Sequence, residues 1–171
     1  MKKGDTWISA VLYIALGTII VAMLLAAGIP VINKIRDRNI ILETKDVMFG
    51  INNAVRTVIR EGPGSQRSFT ISIERGSLVI SDVNDNINWT MESKTIFSEI
   101  GLPIRDGDIL MTTRKTSSAG RYDVELSLRY NGLADLRLFG DSNIIGRKEL
   151  TVKNNGADPG SGEIVVEIRS V

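Results

Sequence analysis

The chain has 171 residues, a formal net charge of +1 and 43 % hydrophobic residues, and it contains neither Cys nor His. The missing Cys excludes disulfides and thiolate chemistry, and the missing His removes the commonest general base and the commonest transition-metal ligand. Near-neutral charge leaves no electrostatic footprint for nucleic acid, and nowhere do a nucleophile, a base and an orienting group gather, so the expectation is a protein with no catalytic residues, no cofactor and no metal.

Residues 1–4, Met1-Lys2-Lys3-Gly4, read as a short basic leader. Trp7 to Ile32 comes next, inside a stretch from Thr6 to Asn33 that carries no charge. As a helix, about 26 residues reach ~39 Å, more than the ~30 Å hydrocarbon core of a bilayer. A cleaved secretory signal usually has an apolar region of only about 7–15 residues. Thr18, Ala22 and Ala26 recur every four residues, with Ala15 and Gly17 nearby. Small side chains at that spacing let helices approach closely in an apolar medium. Gly28 and Pro30 mark an expected kink or short melted segment, because Pro lacks the donor and crowds the preceding turn.

Asn33 to Glu61 continues the helix with an amphipathic pattern. Ile41, Met48, Ile51, Val55, Val58 and Ile59 fall at steps of three, four and seven, with charged and amide side chains between them. Gly50 weakens this helix locally, and Gly62-Pro63-Gly64 ends it. The spacing therefore predicts one helix over residues 5–61, apolar over 7–32 and amphipathic over 33–61, the second half packing on the C-terminal domain.

From residue 62 to 171 the period changes to two. Phe69–Ile73 and Leu78–Ser81 read as strands joined by a turn at Arg75-Gly76. Ile87–Met91, Ile109–Arg114 and Tyr122–Tyr130 come after them, then Ala134–Leu138, Leu150–Val152 and Ile164–Ile168. Asn131-Gly132 is the strongest hairpin signal, since both residues accept positive φ. Short connections imply antiparallel pairing, and one apolar face per strand calls for a second layer. The expected fold class is α+β: a long N-terminal helix packed on a C-terminal antiparallel β-sandwich-like head.

Two features could carry chemistry. Asp82-Val83-Asn84-Asp85-Asn86 has oxygen ligands at alternate positions, but it lacks the Gly and Glu of a calcium loop and reads as a polar turn. Asn88-Trp89-Thr90 is an N-glycosylation acceptor triplet whose strand phase puts Asn88 on the solvent face. Lys2 and Lys3 on one flank of the apolar run nearly balance Lys34, Arg36 and Arg38 on the other. The positive-inside rule is therefore silent on orientation, and the triplet favours an exterior head.

A basic leader ending in Gly, an apolar helix continuing as an amphipathic one and a β-rich head together resemble the type IV pilin-like filament subunits, in particular archaeal pilins and archaellins. The resemblance covers the whole chain as architecture, and as motif only Lys2-Lys3-Gly4 and the apolar run. It implies that a prepilin-type peptidase cleaves between Gly4 and Asp5. It also implies membrane storage before assembly, an assembly platform, and copies of the same chain bundled by their apolar helices in an extracellular filament. Ser9 stands where many pilins carry a Glu, and Asp5 is an unusual first mature residue.

The competing readings are a non-polymerising, membrane-anchored surface β-sandwich such as an archaellum stator-like component, and a secreted β-domain whose signal ends near Ala26-Ala27-Gly28. An enzyme is a further alternative, against which the composition weighs.

Overall fold

The computed structural model describes the backbone of residues 3–171 and the side chains of Trp7 and of residues 9–171. It divides into two compact units, Met1–Arg38 and Asn39–Val171. A single helix, α1 (Lys3–Glu61), belongs to both. Helix assignment is unbroken through Gly28 and Pro30, so no melted segment separates the two halves.

The second unit is the head. Its strands are β1 (Gln66–Ser81), β2 (Asn86–Ser93), β3 (Ile104–Asp106), β4 (Ile109–Lys115), β5 (Tyr122–Arg129), β6 (Asp135–Phe139), β7 (Asn143–Ala157) and β8 (Ile164–Ser170). All eight join one sheet in the order β3-β4-β5-β2-β1-β7-β8-β6. Every neighbouring pair is antiparallel except β6 with β8. The class is thus α+β, a long N-terminal helix with an eight-stranded, mostly antiparallel sheet. Hydrogen bonds join the eight strands into one continuous sheet. Within the head, the apolar stripe of α1 supplies the covering layer: Ile41, Met48, Ile51, Val55 and Val58 are buried in the same core as Ile73, Leu78, Trp89, Leu126 and Val152. Fully burying a side chain of this size contributes roughly 1.5–3 kcal/mol, so this stripe is the main force joining residues 39–61 to the sheet.

Two turns differ from expectation. Arg75-Gly76 does not reverse the chain; it is a bulge inside one long strand. Gly76 has φ +80°, and a Cβ there would sit 2.4 Å from the Thr90 carbonyl oxygen and 2.9 Å from Trp89 Nε1. The indole donates to the Arg75 carbonyl at 3.0 Å, and the register with β7 slips between Ile73 and Leu78. β1 therefore bends without ending. The second difference is Asn131-Gly132, which forms a turn but no hairpin. Both edges of β5 are already taken, by β2 and β4. The chain leaves β5 through bonds from Leu133 and Ala134 N–H to the Tyr130 carbonyl, and β6 pairs in parallel with β8. Asp85, in the expected polar turn, fixes this crossing: its carboxylate accepts from Leu136 N–H at 2.8 Å.

Candidate functional site

The apolar run of the first unit stands uncovered. From Val11 to Ile35 its large side chains are about half exposed or more, from Ile20 at 49 % to Tyr13 at 75 %, and Trp7 is 78 % exposed. An 18-residue apolar window in this helix is long and apolar enough to cross a membrane, and none of it is buried. A helix of this length and apolarity near the N-terminus could anchor the chain in a membrane. Thr18, Ala22 and Ala26 lie on it; Gly17 and Gly28 have open space where a Cβ would point. The Thr18 hydroxyl donates to the Ile14 carbonyl at 2.9 Å, so its polar group is satisfied inside the helix and adds no desolvation cost in an apolar medium. The expected leader cleavage at Gly4 and Asp5 falls on residues whose side chains lie outside those described.

In the head, the amphipathic half of α1 is clamped from one flank and from its end. The flank clamp is the two-residue turn between β3 and β4. Lys45 Nζ lies 2.7 Å from Asp106 Oδ2, and Arg56 lies 3.0 Å from Asp108 Oδ2. Asn52 Nδ2 donates to the same Asp108 oxygen at 2.8 Å. Gly107, at φ +60°, brings the turn so close that a Cβ would meet the Phe49 ring at 3.2 Å. Asn52, only 4 % exposed, also accepts from the Tyr130 hydroxyl at 3.3 Å through Oδ1. Burial pushes the Tyr130 phenol well above its ordinary value; Arg56 opposes this and Asp108 adds to it. The two ion pairs are partly solvated and worth at most about 1 kcal/mol each, whereas the amide, buried and bonded on both sides, sets the position.

At the helix end, the Val58 carbonyl accepts from three donors. They are Gly62 N–H at 3.2 Å, the Ser65 hydroxyl at 2.8 Å and Asn154 Nδ2 at 2.9 Å. The Val58 carbonyl thus keeps its helical bond to Gly62 and takes further donors from Ser65 and from strand β7. Neither clamp was foreseen from the sequence. The charges of Lys45 and Arg56 and the Asp-Gly-Asp turn were visible, but nothing short of the sheet order sets them opposite each other.

No protein-family model, curated protein or solved structure matches this chain. Architecture and geometry therefore carry the functional argument. Among the described residues, no group of three or more acidic side chains is placed to hold a metal. Asn88 sits in β2, an interior strand, opposite Val79 on β1 and Ser127 on β5. It is half-buried rather than freely exposed. Its Nδ2, the atom that an N-glycan would modify, donates to Asn86 Oδ1 at 3.3 Å, while its Oδ1 is buried without a hydrogen-bond partner. Thr90, the third residue of the triplet, is exposed.

Proposed function

We propose that this chain is the structural subunit of an extracellular type IV pilus-like filament of the archaeal kind, assembling through its apolar N-terminal helix with the β head on the outside. The observation that carries the proposal is the contrast within α1. A bilayer-length apolar segment with no cover of its own continues into a segment buried in a folded head. In water the uncovered surface is unfavourable at ~25 cal/mol per Å². Lipid removes that cost for the precursor, and neighbouring helices remove it in a filament core. The peptidase and assembly platform implied by the resemblance are part of this reading, as is any glycan on Asn88 or adhesive role.

The test is the N-terminal peptide of the native protein by mass spectrometry, read with electron microscopy of sheared surface material. A chain beginning at Asp5 and recovered in filaments is the expected result. A chain that keeps Met1, or loses only Met1, and stays in the membrane fraction overturns it in favour of a permanently anchored, stator-like surface protein.

A further inference from the structure

The solvent face of residues 39–61 carries two features that complement each other. The first is a groove of about 310 Å³ lined by Asn53, Arg56, Ile59, Arg60 and Leu133. Ile59 and Leu133 give it an apolar wall, and Arg56 and Arg60 a cationic one. Arg56 already binds Asp108, but Arg60 makes no ion pair among the described residues and reaches only the Thr57 hydroxyl at 3.5 Å. The second feature lies one band earlier on the helix. Leu42 is 48 % exposed, and Glu43 and Asp46 beside it are exposed and make no ion pair among the described residues. Leu42 and Asp46, four residues apart, share one face. Between the two features sits Gly50, exposed in a helix interior where Gly is a poor choice, with nothing within 4 Å of where its Cβ would be.

We infer that the two features meet across copies: the Leu42–Asp46 turn of one chain seats in the Arg56–Arg60–Leu133 groove of the next. The apolar knob meets the apolar wall, the two carboxylates meet the two guanidiniums, and Gly50 admits the close approach. Because knob and groove are different surfaces, the contact is heterologous and repeats from copy to copy rather than closing on itself. Asp46 and Arg60 are 14 residues apart on a straight helix, so parallel neighbours are offset axially by roughly 21 Å. This rests on the filament reading and adds to it a register and a set of contacts outside the apolar core.

The chain has no cysteine, which makes crosslinking decisive. In the full-length D46C/R60C variant the two sulfurs of one copy are far beyond the ~7 Å Cα limit for a disulfide. Mild oxidation of assembled filaments is expected to give a ladder of dimers, trimers and higher species on a denaturing gel. Neither D46C nor R60C alone is expected to give a ladder. A charge swap checks the same contact without cysteines: D46R or R60D alone lowers filament yield at least several-fold, and D46R/R60D together restores most of it. Normal filaments with no ladder and no swap rescue overturn the docking contact and leave the filament reading standing. Dimers from a single-cysteine variant overturn the heterologous arrangement, and a crosslink to a different protein overturns the choice of occupant. If the wild-type chain never forms filaments, both readings fall together.

Discussion

Residues 9–35 and residues 39–61 belong to the same α-helix and have met opposite fates. The first stretch has apolar side chains all the way round and buries almost none of them. The second has them on one stripe and buries most of that stripe in the head's core. A helix apolar on every side gains nothing by choosing one partner surface, so it calls for a surrounding apolar medium. A striped helix has one solution, a single complementary layer, and finds it in its own chain. The difference lies in where Lys, Arg, Asp, Glu and Asn interrupt the sequence.

The comparison can be broken most sharply by the same truncation on each side. Ile51→Ala removes fully buried methyl groups and is expected to lower head stability by about 2–5 kcal/mol. Leu16→Ala, at a half-exposed position, is expected to leave the denaturation midpoint of the head in detergent unchanged. Equal shifts from the two would show that the apolar half is also part of the head's cooperative unit. Next in size is Asn52→Ala, which strips partners from both Tyr130 and Asp108 and is expected to cost about 1–3 kcal/mol. Recovery of that loss in the Asn52→Asp protein would mean that shape, rather than the donated amide hydrogen bond, holds the turn.

The Tyr130 phenol gives the comparison a pH axis confined to the second half. Burial raises its folded pKa above the ordinary 10.0. An unfolded tyrosine therefore ionises first as pH rises. The stability from keeping Tyr130 neutral is complete below about pH 10 and is lost as pH climbs toward the raised folded value. Urea midpoints measured from pH 8 to pH 11 should fall above pH 10 in the wild type and fall less in Tyr130→Phe; parallel curves would rule this out. For the first half, the proposed filament assembly implies that Ala22→Leu/Ala26→Leu weakens filaments against heat while the head's melting is unmoved. Unchanged filaments would end the close-packing role of that stripe. The smallest effect belongs to Arg137→Ala. It breaks exposed pairs with Asp135 and Asp158 and is expected to leave the denaturation midpoint of the head nearly unmoved.

The helix was legible because periodicity is a local property. Of the six residues read from spacing alone, Ile41, Met48, Ile51, Val55 and Val58 are buried in the core and Ile59 is partly buried at its edge. Strand existence was mostly legible for the same reason. Strand partnership was not. Asn131-Gly132 has the local chemistry of a hairpin, yet the vacancy beside β5 that a hairpin needs is filled by β4, a fact no dipeptide encodes. Gly76 looked like a turn because positive φ serves turns and bulges alike. The side chain that decides between them, Trp89, arrives on the next strand. β3 was missed because three residues are too short to show alternation. At the candidate site the apolar run was evident, while the clamps at Asp108 and Asn154 depend on sequence-distant pairings.

One of those pairings reaches into how the molecule comes to be folded. The amide that completes the helix end at Val58 comes from Asn154, 96 residues further along the chain. β1 borders β7 along most of its length, and Ser68 meets Thr151 across 83 residues. Such long loops must close before their contacts are gained, which places the head among slow-folding, high-contact-order topologies. While β7 is still being synthesised, one edge of β1 and the Val58 carbonyl lack the partners that β7 brings, so the head is completed late. The helix acquires its last hydrogen bonds at nearly the same moment as the sheet acquires its middle.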